Sequence, residues 1–268
     1  MVIRVVVAGA TGWVGRALVP AILGEADLAL AGAVARNAAG ADAGIAAGRE
    51  ACGVTVVATL EQALARPSDV VVDYTKPHVV KGHVLAAIVA GRNVVVGTSG
   101  LGADDYAEIA AAAEQKGVGV IAAGNFSITA TLMKRFALMA AKYVPDVEVI
   151  DYAGAGKPDA PSGTARELAE ALSAVRGVST ARPLSEVSGI PATRGAAVGS
   201  GAGVQVHALR MPSFVLSCEV LFGLPDERLT FRHDAGSSAA PYVAGTLLAV
   251  RRVVGTKGLL RGLDRLID

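Results

Sequence analysis

Short aliphatic runs alternate with amphipathic stretches through the first half of this chain. Residues 2–7, 30–34, 55–57, 69–73, 93–96 and 118–122 are rich in Val, Ile, Leu and Ala and predict strands. Polar positions hardly interrupt them, as expected for parallel strands covered on both faces. Between them, residues 13–23, 60–65, 79–90 and 104–115 read as helices. Such alternation predicts a doubly wound α/β domain.

The pattern changes after Asn125. A helix over 128–142 leads to a strand over 147–152, a Gly- and Pro-containing loop over 153–163 and a helix from about Thr164 to Val175. Residues 177–203 read as loop, a candidate lid or partner segment. Strand-like runs at 204–210, 214–221 and 228–233 follow. Runs of strands with few helices predict a second, α+β domain on an open mixed or antiparallel sheet. The end, 239–268, reads as helical with breaks at Gly255 and Gly258. The domains so read are 1–126 and 127–235.

Composition narrows the function classes. At 268 residues there is room for two domains, and 52% hydrophobic against 18% charged residues supports a sizeable core. With aromatics at 4%, that core is built of Ala, Val, Leu and Ile. A net charge of +1 suggests no nucleic-acid partner. No apolar run reaches ~18 residues, so no membrane span is expected. The first residues are too short an apolar run for a signal peptide, and the cytoplasm is the expected compartment. Cys52 and Cys218 read as reduced small hydrophobes. His78 and His83, five apart, suit surface or capping roles, and His207 and His233 structural ones. No metal is expected.

The sharpest local motif is Gly9-Ala10-Thr11-Gly12-Trp13-Val14-Gly15, placed after the first strand and before the first helix. Glycines there allow a tight turn and close approach to a pyrophosphate, whose charge the helix N-terminus favours. This is the fingerprint of a Rossmann-type dinucleotide domain. The tip of the second strand reads Val34-Ala35-Arg36-Asn37, with no carboxylate to grip a ribose 2′-hydroxyl. Arg36 can pair with a 2′-phosphate, so NADPH is favoured and NADH is the alternative. Arg16 is a second candidate phosphate partner. Gly97-Thr98-Ser99-Gly100 ends a strand, where such sheets bind ligands.

Several segments together carry a resemblance. Asp73-Tyr74-Thr75-Lys76-Pro77, Gly97-Thr98-Ser99-Gly100 and Ala123-Gly124-Asn125-Phe126-Ser127 occur in this order, followed by Lys157-Pro158-Asp159-Ala160-Pro161-Ser162-Gly163-Thr164-Ala165. Together with 207–223 and 227–234 they resemble the dihydrodipicolinate reductase family over nearly the whole chain, most loosely at 176–202. The resemblance implies hydride transfer from a nicotinamide to a cyclic, dicarboxylated, unsaturated amine in the diaminopimelate and lysine pathway. It also implies residues 236–268 returning to the first domain, and a homotetramer assembled through the second domain's sheet. Cofactor contacts would come from Gly9, Thr11, Gly12, Trp13, Val14, Gly15, Arg16, Arg36, Tyr74, Thr75, Gly97, Thr98, Ser99, Asn125 and Phe126. A substrate carboxylate would meet Lys157, Ser162, Gly163 and Thr164, where a helix start lies beside a lysine. For Ser162 and Thr164 the plainer role is helix capping. Asn125 to Ser127, at the crossover between domains, reads as a hinge, and Asp159 as a loop-orienting residue.

The chain departs from the family where the chemistry is. The family's lysine follows two histidines, an arginine and a third histidine, the first of them the proton donor. Here the run is Ala153-Gly154-Ala155-Gly156 before Lys157. The arginine that often lies beyond the strand at 229–233 is also missing from Ala235-Gly236-Ser237-Ser238-Ala239. Three readings follow. The first is a reductase of a different or bulkier C=N or C=C substrate. The second is the family reaction with the proton supplied by Lys157, Tyr152 or water, and the third a non-catalytic NADP-binding sensor or scaffold. General acid help is typically worth ~10²–10⁴-fold, so its loss slows but does not forbid turnover. The first reading is preferred, with Lys157 as the catalytic candidate.

Overall fold

The computed structural model describes residues 2–267. The chain forms two compact units, one holding everything up to Ile128 together with the return from Ala239, the other Thr129–Ser238.

The first unit starts with β1 (Ile3–Ala8), α1 (Gly15–Leu23), β2 (Leu28–Val34), α2 (Ala43–Ala46), β3 (Val56–Val57) and α3 (Leu60–Leu64). It continues with β4 (Val70–Asp73), α4 (Pro77–Val89), β5 (Asn93–Val96), α5 (Ala103–Lys116) and β6 (Gly119–Ala122). Successive strand residues enter opposite cores. Val5, Val7, Val70, Val72 and Val95 pack with Leu18, Val19 and Ile22 of α1. Val6, Ala8, Val71, Val94 and Val96 pack with Val80 and Val84 of α4 and Ile109 of α5. Burial on both faces is why these strands read as unbroken apolar runs.

The second unit contains α6 (Ile128–Ala140, entered from the last residue of the first unit), β7 (Asp146–Ala153), α7 (Gly163–Val175), β8 (Ala196–Val198), β9 (Val204–Arg210), β10 (Leu216–Leu224) and β11 (Glu227–Ala235). Its five-stranded sheet runs β11-β10-β7-β9-β8. β7 and β9 are parallel and the other pairs antiparallel, so the sheet is mixed. Alternate residues of β7, Val147 and Val149, pack with Met133 and Ala137 of α6 and Leu168 and Leu172 of α7. The stretch 177–203, expected to be loop throughout, includes β8, which adds an antiparallel edge to β9.

The return adds α8 (Ala240–Val253) and β12 (Gly258–Arg261). Leu247, Ala249, Val250 and Val253 of α8 complete the core on the α1 face. The tail departs from its expected helical character at β12, which pairs in parallel with β6 from Gly258 opposite Gly119 to Arg261 opposite Ala122. The full order is β12-β6-β5-β4-β1-β2-β3. Both cysteines are free, and among the described residues no helix is long and apolar enough to cross a membrane.

Candidate functional site

Chain order in the first sheet reverses between β1 and β4, and ligands of doubly wound sheets bind at the carboxyl ends of strands beside such a reversal. A crevice of about 720 Å³ opens there. Gly9, Thr11, Gly12, Trp13 and Val14 line it, with Arg36 beyond β2, Tyr74 and Thr75 beyond β4, and Gly97, Thr98 and Ser99 beyond β5. The glycines fit a dinucleotide by what they leave out. Gly9 has φ +87°, and a Cβ there would lie 2.3 Å from the Tyr74 carbonyl oxygen. A Cβ on Gly15 would lie 2.1 Å from the Gly9 carbonyl oxygen, so the turn closes only with hydrogen at both positions. The N-terminus of α1 carries no side-chain cap. The Arg16 and Ala17 N–H groups already donate to the Gly12 and Val14 carbonyl oxygens at 3.0 Å each, so it is the partial positive charge of this helix end that suits a pyrophosphate.

Other expected contacts are redistributed. Gly15 does not line the crevice but packs against the loop. Arg16 donates from Nε to the Thr11 carbonyl oxygen at 3.0 Å, bracing the glycine turn instead of facing the crevice. Phe126 is 1% exposed, and its ring meets the Tyr74 ring edge-on at 6.0 Å. It therefore supports the crevice wall from behind. Asn125 accepts the Ser127 N–H at 2.7 Å in a local turn and is likewise absent from the lining. Trp13 is half exposed and contacts Tyr242 edge-on at 5.5 Å. The Tyr74 hydroxyl bonds the Thr246 hydroxyl at 2.8 Å, and burial pushes its pKa well above the ordinary phenol value.

The crevice also contains groups that sequence reading passed over. Asp73, the last residue of β4, is fully buried. Its Oδ1 accepts the Thr75 N–H at 3.0 Å, the Thr75 hydroxyl at 2.8 Å and the Thr98 hydroxyl at 2.7 Å. Its Oδ2 meets His83 Nδ1 at 2.8 Å. His83, expected at the surface or in a cap, instead lines the crevice with His78, Lys76 and Glu61. The Glu61 carboxyl is held below its usual range by its own backbone N–H and by the Thr59 hydroxyl, with a smaller contribution from His83. A signal for His83 was present: it lies on α4 one turn from Val79 and Val80, at the register that faces the strand ends.

The second unit arranges the substrate-side candidates around β7. Asp151, at 1% exposure, accepts the Ser162 N–H and the Ser162 hydroxyl, each at 2.7 Å. The Ser162 oxygen accepts the Ala165 N–H at 3.2 Å, making Ser162 the N-cap of α7. Its hydroxyl is thus committed to folding, and Gly163 and Thr164 form the first turn behind it. Arg210 donates to Asp151 Oδ2 and to the Asp159 carbonyl oxygen, each at 2.8 Å. This buried ion pair was not foreseen. The clue was a lone acid at the inward parity of Val147, Val149, Asp151 and Ala153.

Lys157 Nζ pairs with Asp159 Oδ1 at 2.6 Å on the loop that leaves β7. Ala153 is fully buried and has no proton to give. Tyr152, the alternative donor, lies on the opposite face of β7 from Asp151 and Ser162. There it donates to Glu219 Oε2 at 3.0 Å beside the Phe214 ring, and burial followed by Glu219 raises its pKa. His207 meets Glu148 at 2.7 Å and His233 meets the Thr129 hydroxyl at 3.0 Å, both within the second unit.

A parallel sheet with a glycine turn at its strand-order reversal defines a Rossmann-type dinucleotide-binding protein. Comparison with known proteins makes this specific. Residues 3–126 match the family model described as dihydrodipicolinate reductase, N-terminus, and residues 129–267 the corresponding C-terminus. The chain belongs to the dihydrodipicolinate reductase family, whose members are NAD(P)H-dependent oxidoreductases. It is 38% identical over 268 residues to the 4-hydroxy-tetrahydrodipicolinate reductase of Desulfitobacterium hafniense, covering 99% of each chain. With the same-named enzyme of Synechococcus elongatus it shares 39% over 272 residues, covering 99% of this chain and 98% of the other. Among solved structures, dipicolinate-bound dihydrodipicolinate reductase from Paenisporosarcina sp. TG-14 superposes with a TM-score of 0.80 at 30% identity over 100% of both chains. An amine dehydrogenase from Mycobacterium smegmatis, at TM-score 0.69 and 16% identity, shares the fold.

Proposed function

We propose that this enzyme reduces the C=N bond of a small substrate held by a single carboxylate, with NADPH as the preferred donor. The observation that carries the substrate reading is the makeup of residues 153–157: Ala-Gly-Ala-Gly supplies no cation or proton, leaving Lys157 as the charged side chain of that run. Lys157 and the first-turn amides of Gly163 and Thr164 would hold the carboxylate, with the Ser162 cap fixing the helix start. Bound NADPH supplies the hydride. The α1 amides would hold its pyrophosphate, Arg36 its 2′-phosphate, and Thr75, Thr98 and Ser99 the nicotinamide end. Lys157 is the side chain assigned to deliver the proton to the reduced nitrogen, since an ammonium is a donor in all three positions.

Arg36 sets the cofactor preference in this reading. It is exposed at the crevice rim, and a charge-assisted bond is worth about 1.5–3 kcal/mol. Arg36→Ala is expected to weaken NADPH binding by about 10–100-fold and leave NADH within about threefold. Equal losses for the two cofactors in a calorimetric titration would remove Arg36 from this role.

The substrate reading is tested by single-turnover NADPH oxidation with cyclic imines carrying one or two carboxylates. The one-carboxylate imines are expected to react with the higher kcat/KM. Lys157→Ala is expected to lower kcat by about 10²–10⁴-fold. A faster dicarboxylate reaction returns the chain to the family substrate. Tight NADPH binding with no oxidation on any imine makes it a sensor and overturns the reductase reading.

Assembly belongs to the same proposal. The mixed sheet packs α6 and α7 on one face, and the other carries Ile150, His207 and Leu221 around an open hollow of about 800 Å³. A homotetramer built on that sheet should scatter light as about four times 26.9 kDa. A monomeric mass excludes it. Two unpaired cysteines fit a reducing compartment, and the cytoplasm is the proposed location.

A further inference from the structure

The hydrogen-bond polarity around Asp73 has a consequence for what the crevice can bind. A threonine hydroxyl has one proton and two acceptor lone pairs. Thr75 and Thr98 both give that proton to the same atom, Asp73 Oδ1, at 2.8 and 2.7 Å. The Thr98 oxygen accepts the Thr75 N–H at 2.7 Å, which uses one of its lone pairs. The Thr75 oxygen accepts no bond among the described residues. Both hydroxyls are half-buried and line the crevice, on the β4 and β5 side of the strand-order reversal. Asp73 is itself fully buried, and its second oxygen is occupied by His83 at 2.8 Å. The carboxylate cannot turn to release either proton without losing that partner, and an orphaned buried charge is strongly disfavoured.

The two hydroxyls are therefore locked as acceptors. We propose that Asp73 is a positioning residue. By taking the protons of Thr75 and Thr98 it leaves these two hydroxyls able only to accept, and so favours a ligand that presents an N–H donor to them. This deepens the reading that the crevice holds a nicotinamide dinucleotide. Adenine and its ribose belong on the Arg36 side of the reversal and the nicotinamide on the Thr75 and Thr98 side. The donor selected is then the –NH2 of the nicotinamide carboxamide, and the Thr75 oxygen is its acceptor. His83 contributes by fixing Asp73 and need not touch the cofactor.

The test needs no substrate. NADPH and its 3-acetylpyridine analogue differ at this group alone, –NH2 against –CH3. Dissociation constants for both are measured by calorimetry for the wild type, Thr75→Val, Thr75→Ser and Asp73→Ala. The wild type is expected to bind NADPH about tenfold more tightly than the analogue. Thr75→Val is expected to bring the two within about twofold, and Thr75→Ser to restore the difference. Asp73→Ala, which frees both hydroxyl protons, should lose it as well. If Asp73→Ala does not fold, the Val and Ser pair decides alone. Equal wild-type binding of the two cofactors, or an undiminished ratio in Thr75→Val, overturns the positioning role while leaving the cofactor assignment intact. Failure of the wild type to bind either overturns the cofactor assignment beneath it.

Discussion

Gly15→Ala is expected to abolish measurable dinucleotide binding while the second unit stays folded. An added Cβ would sit 2.1 Å from the Gly9 carbonyl oxygen and 2.8 Å from both the Cα and the carbonyl carbon of Ala10. All three are backbone atoms, so no side chain can rotate away. Either α1 withdraws from the turn or the turn itself opens. Overpacking of this kind typically costs about 1–3 kcal/mol, and contacts with rigid backbone belong at the upper end. The same shift carries the N-terminus of α1 and its partial positive charge away from the pyrophosphate position. At about 1.4 kcal/mol per decade, binding should weaken by at least ~100-fold. Fluorescence titration with NADPH measures it, and a dissociation constant within threefold of wild type would falsify the glycine argument.

The second large effect is expected at Arg210. Its guanidinium pairs with Asp151, whose side chain is 2% exposed, and also holds the Asp159 carbonyl oxygen. Removing one member of a buried pair leaves an uncompensated charge and typically costs about 3–5 kcal/mol. Arg210→Met should therefore lower the melting temperature by roughly 10 °C, taking about 2–4 °C per kcal/mol for chains of this size. The damage should spread to Ser162, which donates both its N–H and its hydroxyl to the same carboxylate. The start of α7 would loosen with it. Adding Asp151→Asn removes the stranded charge, so the double variant should regain much of the loss. A double variant as unstable as the sum of its parts would show that the two residues act independently.

These two sites differ in how much of them could be read from the chain. The glycine turn is local: strand, turn and helix follow one another within 23 residues, and its chemistry is fixed by spacing. The ion pair joins residues 59 apart, and neither carries a local mark beyond the parity of Asp151 among valines. Asp73 and His83 fall between these cases. They are ten apart across a strand end and a helix start, yet the histidine's role depends on which way the helix faces. β8 was missed because three small residues amid Gly and Ser make no pattern of their own, and pairing with β9 is what holds them extended. β12 was misread for the same reason. Gly258-Leu259-Leu260-Arg261 fits either period over four residues, and the edge of β6 decides the outcome.

The placement of β12 also bears on how the chain is made. The sheet that binds the dinucleotide has an edge strand from residues 258–261, and the helix covering one of its faces comes from residues 240–253. Both follow the whole of the second unit in sequence. During synthesis from the N-terminus, the inserted unit can fold as soon as residue 238 has emerged. The host unit must meanwhile wait, with β6 lacking a neighbour on one side and the α8 side of its core uncovered. A growing chain thus carries a finished guest on an unfinished host. Chains released before their last dozen residues would keep an intact second unit and expose an apolar sheet edge, the kind of species that aggregates or meets chaperones.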